Sequence, residues 1–402
     1  MRLSTQSFYA GSLAAMQQQS AELAKVQNQV ATGRRVNTPA DDPIAAVHIM
    51  ELERAQSESE QFGKNSTLIK NRLNLEEHAL ADTGTILTRI RELTLQASNI
   101  GTLSDSDRQS IATELSSRLA ELQDVANRQD GNGEYLFAGY STLTKPFAGG
   151  GVAPVTFVAD QGSRLIQVGP TQRVADSHSG HDVFMDIPEG NGTFATAVTA
   201  ANTGSGAIDV GSVINPGNWV PDNYTLRFTS PTTWEVTDSA APPNVEATGT
   251  YTSGAPIEFN GVRVSISGAP AAGDTFSVKQ ARSKDIFATV GGIISALKQP
   301  AGSPAANAQL ASSLQGSLQQ IDQTSDHLLS VRSEVGARLS TLESAESARE
   351  SLDIDIAGSL SDLRDLDYAE AITKLNQKLV GLQAAQMSYT KISQLSLFNY
   401  LR

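Results

Sequence analysis

The chain has 402 residues, 43 of them acidic and 30 basic, for a net charge of -13, and it contains no cysteine. That length exceeds what one core usually supports, so about two or three domains are expected. The missing thiols exclude disulfides, thiolate catalysis and cysteine zinc sites. The negative charge argues against a general attraction to nucleic acid or anionic lipid.

The opening MRLSTQSFYAGSLAAMQQQS lacks the basic and continuous apolar regions of a secretory signal, and no window reaches the roughly 18 apolar residues of a membrane span. Export, if it occurs, is expected without a cleaved signal of this kind and without membrane insertion. From residue 3 to 33 only Glu22 and Lys25 are charged. Tyr9, Met16, Leu23 and Val30 fall seven apart, with Leu13 and Val26 beside them, which is the repeat of a coiled-coil seam. The segment TGRRVNTPADDP follows. Gly33 can end the first helix in a left-handed conformation, Pro39 fixes an extended turn, and Asp42–Pro43 reads as N-cap and first helical residue. Arg34, Arg35, Asn37, Pro39, Asp41, Asp42 and Pro43 therefore form a candidate rigid elbow. Plain helix capping with exposed ion pairs is the simpler account of these charges, and a contact to a neighbouring subunit is the functional one.

A long helix is expected from Ile44 to about Ile100, with Val47, Leu52, Ala55, Phe62, Ile69, Leu73, Leu80, Leu87, Ile90, Leu93 and Ala97 facing inward. Ser104 and Asp107 have the spacing of a capping box. Ile111, Leu115, Leu122 and Val125 carry a further helix to about Gln129, in an antiparallel bundle. Near Gly131 the composition shifts to Gly, Pro, Thr and Val, and short alternating runs continue to about Lys279. Asn260–Gly261 predicts a two-residue hairpin that sets Phe259 against Val262 and Ile257 against Val264. Helical periodicity resumes at Asp285, breaks between Pro300 and Pro304, and runs to about Ile356. Near the end Leu375, Leu379, Leu382 and Tyr389, then Leu395, Phe398 and Leu401, form a second apolar seam.

The fold class is thus mainly α with a central β insert, the chain running out through helices and returning through helices. Three domains are expected: a terminal-helix assembly domain (1–43 and 358–402), a helical-bundle domain (44–145 and 284–357) and a β-rich domain (146–283). The two terminal helices are expected to pair with each other and with other copies. A monomer offers them little core, so they are expected to be disordered until assembly, since ordering costs about 1–2 kcal/mol per residue.

Among constellations that could carry chemistry, His178 and His181 lie near Asp176, Asp182 and Asp186 and could be drawn as a metal site; a solvated loop before a strand is the plainer reading. His48, His78 and His327 read as surface or boundary residues. Trp219, Trp234, Tyr224 and Tyr251 could form a carbohydrate platform, against the simpler reading of core packing in a small sheet domain. There is no HExxH, GxSxG, P-loop or placed GxGxxG. No catalytic residue, metal or cofactor is expected, and the chain reads as a non-enzyme.

VATGRRVNTPADDPIAA, RIRELTLQASN, DRQSIATEL, NGEYLFAGYSTLTKPF and the closing DLRDLDYAEAITKLNQKLVGLQAAQMSYTKISQLSLFNYL resemble the flagellin superfamily. NTPADDP, LFAG followed by PF, and SLFNYL resemble its hook-filament junction branch. The resemblance implies an extracellular structural subunit of the bacterial flagellum, exported unfolded by the flagellar type III apparatus with a chaperone. It implies assembly of a ring with itself, between the first hook-associated protein and flagellin. A flagellin that builds the filament, and a secreted binding protein using its β insert, are the alternatives.

Overall fold

The protein is described here from a computed structural model covering residues 5–99, 103–150, 153–300 and 302–394. Seven α-helices are described: α1 (Thr5–Thr32), α2 (Pro43–Ala97), α3 (Asp105–Ala126), the short α4 (Gly180–Phe184), α5 (Ile286–Lys298), α6 (Pro304–Arg364) and α7 (Tyr368–Gln394). They are joined by a β region, so the fold class is mainly α with a central β insert. By internal contacts the chain falls into two units, residues 1–64 with 344–402, and residues 65–343. α2 and α6 contribute to both.

In the first unit, a small core gathers Val36, Ala45, Ile49, Ile356 and Leu360, with Leu52, Ala55 and Leu363 packed on it. Because α2 turns Ala45 and Ile49 toward this core, Val47 between them points away: it is 55% exposed, and the expectation that it faces inward is corrected. Ile44 and Met50 share that outward face. α6 also runs on past Ile356 to Arg364, because Leu360 and Leu363 continue its apolar stripe onto the same core.

In the second unit, α2 buries Ile69, Leu73, Leu80, Leu87, Ile90, Leu93 and Ala97, as the 3.6-residue repeat predicts. It runs antiparallel to α6, with Glu77 paired to Arg332 and Arg91 to Asp322 at 2.7 Å. α3 opens with the predicted capping box: Ser104 Oγ accepts from Asp107 N–H at 3.2 Å, and Ser104 N–H donates to Asp107 Oδ2 at 3.0 Å. It ends at Ala126, with Asn127 as its cap, slightly short of the expected Gln129, and packs on α5. α5 starts from Asp285, whose carboxylate accepts from Ala288 N–H.

The β region is a set of small antiparallel sheets. β1 (Phe147–Gly150) pairs with β2 (Ala153–Phe157), and β3 (Leu165–Gln167) with β4 (Arg173–Ala175). β5 (Ile187–Pro188) pairs with the late β15 (Ser283–Lys284). The largest sheet has the order β11 (Val245–Thr250), β10 (Thr233–Thr237), β9 (Asn223–Ser230), β14 (Thr275–Gln280) and β6 (Phe194–Val198). A second sheet holds β12 (Pro256–Phe259), β13 (Val262–Ser267) and β7 (Ala207–Ile208), with β8 (Ser212–Val213) beside β13. Phe194, Leu226, Phe228, Val236, Val264 and Phe276 fill the core between them. The Asn260–Gly261 turn has both residues at positive φ, 40° and 78°, as a primed hairpin turn requires. It pairs Phe259 with Val262 and Ile257 with Val264, all four buried. Trp234 and Tyr224 are buried in this core and Trp219 and Tyr251 pack against it, so their aromatic faces serve packing.

The segment Asp176–Gly180 is not the solvated loop the sequence suggested: every residue of it is buried. Its charges are matched by Arg164 nearby, by Arg72 and Glu76 about a hundred positions earlier on α2, and by Glu334 on α6. Arg164 Nη2 donates to the fully buried Asp176 at 2.6 Å, and Arg72 Nε lies 3.1 Å from the same oxygen. Arg72 Nη1 also donates to Asp130 and Glu134, at 3.0 Å each. His178 Nδ1 lies 2.7 Å from Glu76 Oε1 and its Nε2 3.2 Å from Glu334 Oε2. His181 is half-exposed beside Asp182. Among the described residues no group of His, Asp and Glu is arranged to hold a metal ion. His48 and His78 are exposed and His327 lies at the boundary.

Buried charges in such a network lose most when one partner is removed. Arg72→Met is expected to destabilise the second unit by about 3–5 kcal/mol, because Asp130 and Asp176 stay buried with fewer partners. Urea unfolding followed by the fluorescence of Trp219 and Trp234 measures it; a midpoint equal to that of the unsubstituted protein would contradict this account.

Candidate assembly surfaces and elbow

α1 packs on α7, so the helices nearest the two ends of the described chain form one pair. The seam residues divide unevenly. Leu23 is buried; Met16, Val26, Val30, Leu375, Leu379, Leu382 and Tyr389 are half-buried; Leu13 is 49% exposed. Tyr9 lies in α1, while Leu395, Phe398 and Leu401 fall outside the described residues. The 4-3 repeat turns one stripe of each helix toward the other. Both charged side chains of α1 are used inside the chain: Glu22 pairs with Lys378, and Lys25 with Asp41 at 2.9 Å. The Lys378 ammonium holds the Glu22 carboxyl below the usual range.

The outward faces of the pair carry no charge along much of their length. On α1, Ala10, Ala14, Ala21, Ala24 and Ala31 are all exposed and follow a 4-3 repeat that flanks the seam, about 100° round the helix. On α7, Ile372, Val380 and Met387 are 47%, 65% and 62% exposed. These three were missed in the sequence. Val380 and Met387 do stand seven apart, which is the signal that could have found them, but the stronger Leu stripe masked it.

The elbow between α1 and α2 is built from backbone. Gly33 stands at φ 70°, and its N–H donates to Gln29 O at 2.9 Å, closing α1. A Cβ at Gly33 would also lie 2.8 Å from the Tyr368 hydroxyl. Arg34 then forms a β-bridge with Asp365. Arg35 N–H donates to Arg364 O at 2.7 Å and Leu366 N–H donates to Gly33 O at 3.0 Å. The Arg35 guanidinium donates to Leu363 O at 2.7 Å and stands 3.5 Å from Asp42. The α1–α2 elbow is thereby stitched to the α6–α7 junction.

Asp41 organises the rest. Its Oδ2 accepts from Asn37 N–H at 3.1 Å, Thr38 N–H at 2.9 Å and Thr38 Oγ1 at 3.0 Å. Asp42 Oδ1 caps α2 by accepting from Ala45 N–H at 3.0 Å, with Pro43 at the first helical position and Pro39 exposed on the turn. The sequence-predicted elbow residues thus come together at one junction.

The comparisons with known proteins match this arrangement. Residues 3–142 match the bacterial flagellin N-terminal helical region, and residues 318–401 the bacterial flagellin C-terminal helical region. Residues 197–280 match the D2-like domain of flagellar hook-associated protein 1. The fold is therefore that of the flagellin-like structural subunits. Flagellar hook-associated protein 3 of Escherichia coli is 28% identical over 99% of both chains. The crystal structure of flagellar hook associated protein-3 from Legionella pneumophila is 35% identical, with a TM-score of 0.74, over 78% of this chain and 98% of that one. Xanthomonas campestris FlgL is 36% identical, with a TM-score of 0.72, over 77% of this chain and 99% of that one. The chain belongs to the flagellar hook-associated protein 3 (FlgL) family.

Lys25 and the Thr38 and Asn37 donors hold the Asp41 carboxyl down at about 2. An unfolded Asp titrates near about 3.9, so the folded pKa is depressed. The elbow's stabilisation by Asp41 is then complete above pH about 4 and is lost as pH falls toward 2. Asp41→Ala is expected to cost about 1 kcal/mol at neutral pH and to flatten this acid dependence. Titration of the Asp41 carboxyl in the assembled protein, where α1 and the elbow are folded, reads it; an Asp41 midpoint near 4 there would refute it.

Proposed function

We propose that this chain is a structural subunit of the bacterial flagellum that joins hook to filament. The observation carrying this reading is the α1–α7 pair: both ends of the described chain meet in one helical pair with uncharged outward faces, in a chain whose relatives along its length are hook-associated proteins. In this reading residues 1–43 and 358–402 are the assembly domain, 44–145 and 284–357 the helical bundle, and 146–283 the outer β domain. Copies associate with each other as a ring, meeting the first hook-associated protein on one side and flagellin on the other. The subunit leaves the cell unfolded through the flagellar type III apparatus with a chaperone and without a cleaved signal peptide. It performs no catalysis; no helix of the described chain is long and apolar enough to cross a membrane. The elbow fixes the angle at which the terminal helices are presented, and the seam residues with Ile372, Val380 and Met387 form the assembly surface.

The deciding experiment is electron microscopy of cells lacking this chain, with flagellin assayed in the medium. Bare hooks with shed flagellin are expected. Normal filaments would refute the proposal, and loss of filaments with no flagellin shed would make the chain the filament subunit itself.

The terminal helices are also proposed to order only on assembly. Along the α1–α7 seam the half-buried contacts outnumber the buried ones, too little burial to offset about 1–2 kcal/mol per residue of backbone entropy. Hydrogen exchange on the purified monomer is expected to find α1 and α7 unprotected and α2 protected; equal protection of all three would contradict it.

A further inference from the structure

The five-stranded sheet ends on one side at β6, which among the described residues pairs only with β14. Just past its ends, Thr199 N–H donates to Thr275 O at 3.3 Å and Ala281 N–H donates to Thr193 O at 2.9 Å. Bonded pairs alternate along an antiparallel ladder. With 193 and 199 bonded to the β14 side, Ala195 and Ala197 are bonded to it as well, and Phe194, Thr196 and Val198 direct their N–H and C=O groups away from the sheet. Phe194 is satisfied locally: its N–H donates to Asn191 Oδ1 at 2.9 Å and its C=O accepts from Asn191 N–H at 3.1 Å. Among the described residues, no hydrogen bond reaches the backbone N–H or C=O of Thr196 or Val198.

Sheet edges are normally blunted by a charge, a proline, a bulge or a covering element. FATAV has no charge, no proline and no register shift against β14. α5 and α6 face this edge across a cleft of about 400 Å³. α6 is tied to the chain at either end of β6, Gln309 donating to Ala200 O at 3.1 Å and Gln320 accepting from Gly190 N–H at 3.1 Å. Between these ties the helices contribute small residues, among them Gly292, Ala296, Ala306 and Gly316. An added strand would lie about 4.8 Å from β6, and small walls leave space for its backbone. Beside the same strand, Lys279 and Arg282 are exposed and in no ion pair among the described residues, while Lys284 lies 3.6 Å from Glu189. In a chain of net charge -13 this is a local basic rim.

The geometry points to a strand-addition groove in which the β6 edge takes an extended, acidic peptide segment of a partner protein. Thr196 and Val198 supply the donors and acceptors of the new ladder, the small residues of α5 and α6 admit short side chains, and Lys279 and Arg282 receive the carboxylates. The inference does not rest on the flagellar reading, since it uses only the β region and the helices beside it.

The test uses the full chain and two synthetic peptides of alternating Thr and Val, one flanked by Glu and the other by Lys. Hydrogen exchange with mass spectrometry follows residues 194–200, and fluorescence anisotropy follows binding. The acidic peptide is expected to slow exchange at Thr196 and Val198, and the basic one to leave it unchanged. Lys279→Glu with Arg282→Glu is expected to weaken the acidic peptide about tenfold or more. Ala296→Phe, which fills the cleft away from the edge, is expected to abolish binding with an unchanged melting temperature. Unslowed exchange, equal binding of both peptides, or full binding to a folded Ala296→Phe variant would overturn the proposal. Protection that rises with protein concentration in the absence of peptide would overturn it too, by making a second copy the occupant.

Discussion

Two backbone hydrogen bonds, Arg35 N–H to Arg364 O and Leu366 N–H to Gly33 O, set the constraint on which the first unit depends. They join two turns more than three hundred residues apart, and four helices enter or leave through them. With the turns tied, α1 and α7 start side by side, and the Leu and Val seam only has to propagate that register. α2 and α6 leave the same junction and bury Ala45, Ile49, Ile356 and Leu360 between them. Backbone is suited to this task because its bonds do not depend on side-chain rotamers, and Gly33 is needed because a side chain there would meet both a positive φ and the Tyr368 hydroxyl.

The second unit rests on a different principle. Its helices present apolar stripes of ordinary spacing, but the segment between β4 and α4 brings buried charge against α2. Arg72, Arg164, Asp130, Asp176 and Glu134 satisfy one another, and His178 sits between Glu76 and Glu334. Such a network is a poor source of net stability, yet it penalises every misplacement that would leave a charge unpaired. It therefore specifies where the β region docks on its own helices.

What could be read from sequence divides along the range of the interaction. The Ser104–Asp107 capping box, the Asp42–Pro43 helix start, the left-handed Gly33 and the Asn260–Gly261 hairpin are each decided within a few residues, and each appears where the sequence places it. Asp176 has a partner nearby in Arg164, but the burial of Asp176 and His178 also needs Arg72 and Glu76, about a hundred residues away, and no local pattern discloses those. Periodicity located the apolar residues of α2 but not which of them a partner helix covers, and Val47 went astray for that reason. The same ambiguity hid Ile372, Val380 and Met387 behind the stronger Leu repeat of α7. The open edge of β6 was invisible for a further reason: an edge is defined by the strand that is absent beside it.

The pairing of α1 with α7 also has a consequence for timing. Glu22 and Lys378 are 356 positions apart, so in synthesis, which runs from the N-terminus, α1 emerges first and has no mate until the last tenth of the chain follows. Everything between them can fold in the interval, since α2 through α6 find their partners among themselves. The surface made by the two helices together is therefore the last thing the molecule acquires, and a truncated or half-emerged chain cannot present it.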